Sequence, residues 1–239
     1  MRVQKLLAQA GIASRRAAEQ LISEGRVSVN GKKAVLGGRA ELDDRIEVNG
    51  RRIQIDLEKK YFAMNKPAGV ITSSVDPKGR TTVMDLVGEE SRLYPVGRLD
   101  MSTEGLLILT NDGELAHRMT HPSYEMPKTY VVEVKGTFGR AAIQKLVKGV
   151  EIEEGKPAVA TEVKVLDSLK GANPATVVQL SVHEGRNHVV RRMMEGAGYR
   201  VKRLTRTAVG PIKLGRLAEG SYRNLTREEV EALYNKAGL

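Results

Sequence analysis

At 239 residues the chain can form one large domain or a small and a medium one, and 41% hydrophobic content is ordinary for a globular protein with a real core. Zero cysteines exclude disulfides, thiolate metal sites and cysteine nucleophiles, and no apolar run approaches the roughly 20 residues of a membrane span. Lys and Arg total 39 against 29 acids, a net +10, which points to a polyanion and first of all to nucleic acid; no Trp, two Phe and seven Tyr leave little material for stacking a row of bases on a sheet.

The N-terminus, MRVQKLLAQAG, is broken by Gln4, Lys5 and Gln9 and lacks a signal peptide's apolar stretch, so a cytoplasmic protein is expected. Val3, Leu6, Leu7 and Ala10 form the stripe of a first helix, closed by Gly11. Ser14 is placed to cap a second helix with Ala17, Ala18, Leu21 and Ile22 as its apolar positions and Gly25 at its end. Arg26-Val-Ser-Val then reads as a strand entering an Asn30-Gly31 turn. A second alternation, Arg45-Ile-Glu-Val, enters an Asn49-Gly50 turn before Arg51-Arg52-Ile-Gln-Ile.

Residues 1–60 therefore read as a small separate module, joined by the charged stretch Asp56–Lys60 to a larger domain over 61–239. The module carries 13 basic and 8 acidic residues, a net +5 that is half the charge excess in a quarter of the chain. Arg15 and Arg16 open the second helix beside its exposed backbone N–H groups, where a phosphate can dock; the alternative is a pair of solvated arginines. The run VQKLLAQAG…SRRAAEQLISEGRVSVNGKKA resembles the S4 RNA-binding domain. That resemblance implies a binder of structured RNA, with Lys5, Arg15, Arg16, Arg26, Lys32 and Lys33 as phosphate contacts.

In the larger domain, strands are expected at Tyr61–Met64, Leu106–Thr110, Thr129–Lys135, Ala160–Leu166 and Thr176–Val182. Helices are expected at Thr82–Leu86, Glu114–Met119, Arg140–Lys148, Asn187–Glu195 and Arg227–Lys236. Strands and helices do not alternate strictly, so an α+β domain with a mostly antiparallel sheet fits better than a doubly wound parallel one.

Much RNA-modifying chemistry is missing. There is no G-x-x-x-x-G-K-[ST] loop, no Gly-rich turn after a strand for a bound methyl donor, and no thiolate. His117 and His121 stand four apart, but Pro122 ends the helix beside them and no H-E-x-x-H pattern exists, so no metal is expected. What remains is Asp100, in GRLDMSTEGLLILTNDG. A single carboxylate working on a ribose in a dry pocket needs an arginine partner to stay ionised. Glu104, four residues on, raises the different prospect of a paired-carboxylate glycosidase, whereas Asn111-Asp112-Gly113 is more simply a turn.

EGRNHVVRRMMEG can supply the arginine: Asn187 is placed to cap a helix whose buried stripe is Val189, Val190, Met193 and Met194. Arg191 and Arg192 lie on the borders of that stripe, and spacing does not choose between them. Seven basic residues and one acid fall between Arg186 and Arg206. In KTYVVEVKG, Tyr130 shares a face with Val132 and Val134; it is either a core residue or a platform for a base.

NKPAGVITS, the G-R-L-D-x-x-T-E-G-L-L-I-L-T-N-D-G run, KTYVVEV and EGRNHVVRRMMEGAGY followed by RLTR together resemble the ribosomal RNA pseudouridine synthases that carry an S4 domain in front of the catalytic domain. The resemblance implies Asp100 as the catalytic carboxylate, Tyr130 stacked on the target uracil and Arg191 of H-x-x-R as the partner of Asp100. It also implies a reaction without cofactor; Arg98, Arg186, His188 and Arg192 are expected as further RNA contacts, and a monomer is expected. The tail LGRLAEGSYRNLTREEVEAL looks more like enzymes of large-subunit ribosomal RNA, with a small-subunit target or a non-catalytic RNA-binding assembly protein as alternatives.

Overall fold

The computed structural model describes residues 1–54, 58–74, 76–88, 93–169 and 174–239. By internal contacts the chain divides into two compact units, one formed chiefly by Met1–Lys59 and the other by Lys60–Gly88 with Tyr94–Leu239. The expected connection Asp56–Lys60 and the end of the strand expected at Ile55 fall partly outside the described residues.

In the first unit, α1 (Val3–Gln9) and α2 (Arg15–Ser23) precede four short strands, β1 (Val27–Val29), β2 (Lys32–Lys33), β3 (Ile46–Val48) and β4 (Arg51–Arg52). The Ser14 hydroxyl accepts the Ala17 N–H and so caps α2. Asn30 and Gly31 (φ 50° and 81°) connect β1 to β2, and Asn49 and Gly50 (φ 54° and 75°) connect β3 to β4. Two successive left-handed residues give the twist that a two-residue hairpin needs. Val3, Leu6, Leu7, Ala18, Ile22, Val27 and Ile46 form a closed core beneath this antiparallel sheet.

The second unit runs β5 (Tyr61–Lys66), β6 (Tyr94–Pro95), β7 (Glu104–Thr110), α3 (Gly113–Thr120), β8 (Lys128–Lys135), α4 (Arg140–Lys148), β9 (Val150–Glu151), β10 (Pro157–Ala158), β11 (Glu162–Leu169), β12 (Ala175–Val182), α5 (Val189–Gly196), β13 (Val201–Val209), β14 (Ile212–Lys213), β15 (Tyr222–Asn224) and α6 (Arg227–Ala237). Its main sheet has the order β11-β12-β8-β13-β7-β5-β15, with β14 on β13 and β6 on β7. Every pairing is antiparallel except β13 with β7. The α+β architecture with a largely antiparallel sheet is thus the one the sequence implied.

Three local expectations are corrected. Thr82–Leu86 is a turn: the Asp85 carboxylate takes the Thr82 N–H (2.8 Å) and hydroxyl (3.0 Å), and a five-residue stretch does not repay helix nucleation. Asn187 does not cap α5; His188 does, in the left-handed region (φ 52°) and with no side-chain cap bond. The strand β13 was not expected at all. Its two exposed cations, Lys202 and Arg203, hide an alternation in which Leu204 and Arg206 both point inward.

The Asn111-Asp112-Gly113 segment is a strand-to-helix turn, as read. Asp112 is buried, accepts the N–H groups of Glu114 (3.1 Å) and Leu115 (3.3 Å), and also takes the hydroxyls of Tyr61 (3.0 Å) and Tyr234. One carboxylate thereby ties β5, α3 and α6 together behind the core of Leu106, Ile108, Leu115, Met119, Val209 and Leu233.

Candidate active site

Asp100 sits on the loop between β6 and β7, and that loop is braced by NKPAGVIT. The Thr72 hydroxyl donates to the Leu99 carbonyl (2.8 Å) and accepts the Leu99 N–H (3.2 Å). Gly69 N–H reaches Met101 O (2.7 Å), and Thr103 N–H closes a turn onto Asp100 O (2.9 Å). Lys66 is fully buried and its ammonium donates to Pro67 O (2.8 Å), Thr103 O (2.9 Å) and Met101 O (3.5 Å). Burial pulls its pKa down to about 8, while the nearby charges of Asp100 and Glu104 oppose that shift. Three carbonyls from both sides of the loop converge on one cation, which fixes the backbone around the carboxylate.

Asp100 opens onto a cavity of about 420 Å³, in the range of small-ligand sites. Among the described lining residues it is the only carboxylate; Arg98, Lys128, Arg186, His188 and Arg206 supply cations or potential cations, and Tyr130 an aromatic face. Tyr130 lies opposite Arg206 across β8 and β13, with Lys128 two residues earlier on the same face. Arg206 is 3% exposed and its Nε donates to Leu106 O (2.8 Å). The Lys128 pKa is drawn down to about 8, chiefly by burial and then by Arg206, against a smaller opposing pull from Glu184.

The parallel pairing that brings β7 to β13 places Gly105 against Arg206, where a Cβ would lie 2.3 Å from Arg206 O. Only glycine permits that approach, which gives the G in T-E-G-L-L its physical reason.

On the opposite side the loop before α5 brings His188 Nε2 to 3.3 Å from Asp100 Oδ1. The expected contact of Arg191 with Asp100 is corrected: among the described residues the two form no ion pair. Arg191 Nη2 instead donates to Ser102 O (2.9 Å), and its buried Nε has no partner. α5 starts two residues later than expected, which leaves His188 rather than the first helical turn facing the carboxylate. Arg192 is not among the described lining residues and holds Glu153 (3.0 Å) and Ile152 O. Arg186 lines the cavity, but its guanidinium is engaged by both Glu184 oxygens, Lys156 O (2.7 Å) and Pro157 O (3.1 Å). Neither arginine presents the free head expected of a phosphate contact. Glu104, the second carboxylate of the glycosidase alternative, is outside the cavity lining and pairs with Arg203 (2.7 Å).

In the first unit Arg15 and Arg16 occupy the first turn of α2 and are exposed, as are Lys32 and Lys33 on β2; none of the four has an ion-pair partner among the described residues. Lys5 is half-buried on α1, and Arg26 is held by Glu24 (3.0 Å) and Asn49 (2.8 Å). Sequence reasoning missed Lys66, Lys128 and Arg206. Lys66 follows Phe62 and Met64 on the inward face of β5, a signal the sequence carries, whereas Arg206 is concealed among the polar positions of β13.

No described helix is long and apolar enough to cross a membrane, and no group of three or more His, Asp or Glu among the described residues is placed to hold a metal. A sheet-borne cavity with one carboxylate, one tyrosine and a surround of cations defines a class, and residues 60–196 match the model of the RNA pseudouridylate synthases. The chain belongs to that family and is an isomerase acting on RNA, with residues 1–35 matching the S4 domain. It is 47% identical to the ribosomal large subunit pseudouridine synthase B of Bacillus subtilis, over 97% of this chain and 95% of the relative. It is 45% identical to an uncharacterized RNA pseudouridine synthase of Mycobacterium leprae, over 100% and 94%. A solved pseudouridylate synthase superposes with a TM-score of 0.69 at 30% identity, covering 98% of this chain and 99% of that one.

Proposed function

We propose that the enzyme converts uridine to pseudouridine in large-subunit ribosomal RNA, with Asp100 as nucleophile and no cofactor. The observation that carries this reading is that Asp100 is the one carboxylate among the described residues lining the cavity, set beside Tyr130 and cations. A lone acid on a surface that must admit phosphates is repelled by its own ligand, and its presence calls for chemical use. The large-subunit assignment is supported by the name of the 47% identical relative.

In the reaction the target nucleotide leaves its helix, at a cost of a few kcal/mol, and enters the cavity. Tyr130 stacks on the uracil. The Asp100 carboxylate bonds to C1′ as the C1′–N1 bond breaks with its electron pair on the uracil. The freed ring turns, and C5 bonds to C1′ as the C1′–Asp100 bond breaks and returns its electron pair to the carboxylate. The C5 proton is lost to solvent and N1 takes up a proton, so that the product is an isomer of the substrate. Arg191 contributes by holding Ser102, two residues from the nucleophile, and His188 is the group in contact with the carboxylate. Arg15, Arg16, Lys32 and Lys33 supply the phosphate field of the first unit.

The test is incubation with ribosomal RNA carrying tritium at uracil C5. Tritium release without free uracil is expected, and from large-subunit rather than small-subunit RNA. Free uracil would instead identify a hydrolase, and RNA binding with no release a non-catalytic protein.

A further inference from the structure

The chain has nine Phe and Tyr residues and four histidines. Phe62 with Tyr222, Phe138 with Tyr199 and Tyr61 with Tyr234 pack as pairs within the fold. One group of rings lies instead on the surface. At the C-terminal end of α3 and the 3₁₀ turn after it, His117, His121 and Tyr124 gather with ring centroids 5.2, 6.1 and 6.4 Å apart, and the Arg118 guanidinium stands 5.2 Å over Tyr124. Both histidines are exposed and Tyr124 is half-buried.

A cation near a helix C-terminus is favourable by itself, which accounts for His117 and Arg118. It does not account for His121, which lies beyond α3, or for the assembly of rings. His121 is held in place: its Nδ1 accepts the Ser123 N–H (3.3 Å) and lies 2.7 Å from the Ser123 hydroxyl, which leaves Nε2 as the ring's donor. The end of the same helix reaches the cavity: Met119, on its buried face, and Thr120, the residue before His121, line it, and exposed Arg98 lies on the same cavity. Rings and a donor thus begin one residue beyond Thr120 of the cavity wall, with Arg98 on the cavity itself.

We infer that His117, His121 and Tyr124 form a stacking platform for the nucleobase directly adjacent to the target uridine in the same strand. This rests on the proposed reaction on ribosomal RNA. A flipped nucleotide leaves its neighbour with one bare face, and an aromatic platform is sequence-tolerant because every base has a π-face. Arg98 is exposed on the cavity and can meet a phosphate beside such a base, whereas Arg118 is committed to Ala237 O (3.2 Å), Gly238 O and Glu114 (3.8 Å) and serves to hold Tyr124. In this aromatic-poor chain His121 of the cluster directly follows Thr120, which lines the cavity.

The probe is a stem-loop from the ribosomal RNA segment in which tritium release locates the reaction, carrying 2-aminopurine on one or the other side of the target uridine. With Asp100→Asn, which holds the substrate unreacted, one of the two positions should be quenched on binding. Adding His117→Ala and His121→Ala should abolish that quenching. In the otherwise native enzyme, the paired alanine change should raise KM about tenfold, towards the lower end of what one stacked base contributes. The rise should vanish on RNA that is abasic at the quenched position. His117→Phe with His121→Phe should restore both quenching and KM, which separates loss of the platform from loss of the fold. Quenching unaffected by the alanine pair, or the same KM rise on abasic RNA, would overturn the platform while leaving the reaction intact. Absence of tritium release from every ribosomal RNA segment would remove the substrate, and the platform with it.

Discussion

The two units are both basic, and although the first also has paired arginines in Arg26 and Arg45, the cations at its helix start and hairpin are held differently from those around the cavity of the second. In the first, Arg15, Arg16, Lys32 and Lys33 stand on a helix start and a two-residue strand, exposed and without ion-pair partners among the described residues. In the second, Arg186, Arg192, Arg203 and Arg206 are committed to Glu184, Glu153, Glu104 and the Leu106 carbonyl, and Lys66 is buried on three carbonyls. Charge alone therefore does not identify a phosphate site. A solvated cation offers a field to any polyanion, whereas a paired guanidinium holds backbone and carboxylates where chemistry needs them.

The largest effect expected falls on the one carboxylate that this second arrangement serves. Asp100→Asn should lower tritium release below about a hundredth of the parent rate, with RNA affinity retained. A mutant above that rate would show that the cations are not organised around a nucleophile. Next comes Arg191→Met, which removes the bond to Ser102 O. If the arginine positions the loop, the rate should fall about ten- to a hundredfold and by the same factor at acidic and alkaline pH. A loss that shrank as pH rose would mean that Arg191 contacts Asp100 directly once RNA is bound.

The comparison itself is tested by salt. Arg15→Ala with Arg16→Ala should reduce the slope of log affinity against log salt by about 1.4 to 1.8, at 0.7 to 0.9 for each lost phosphate contact. Arg186→Gln or Arg192→Gln should leave that slope in place while slowing turnover. Equal slopes for all four changes would erase the distinction between free and committed cations. The smallest effect concerns Lys128. With its pKa lowered to about 8, it carries charge below that pH and loses it above. RNA affinity should thus drop a fewfold, within about tenfold, as pH rises through about 8, and Lys128→Met should flatten that dependence.

Much of this is legible in the sequence. The Val3–Ala10 stripe, the Ser14 cap and the two Asn-Gly turns each follow a local rule, and all stand in the structure. So do the Tyr130–Val134 alternation and the Val189–Met194 stripe. Long-range geometry was not legible. Nothing in H-x-x-R tells that α5 begins after His188 and so turns Arg191 toward Ser102. Nor does charge reveal that Arg186 meets Glu184, two residues before it, when both lie in an irregular loop. β13 was lost because polar inward positions do not look like a core, although Arg206 is as buried there as its apolar neighbours.

The parallel contact of β13 with β7 also governs when the enzyme can come into being. Asp100 lies on the loop that leads into β7 and Tyr130 lies on β8, but these strands do not pair; β13 stands between them, contributed by Val201–Val209. A nascent chain that has emerged as far as α5 already contains the carboxylate and the tyrosine, with no strand to set them side by side. At about 5–20 residues per second of synthesis, β7 waits several seconds for its partner. The cavity assembles late, when a strand made near the end of translation slides between two that were made long before.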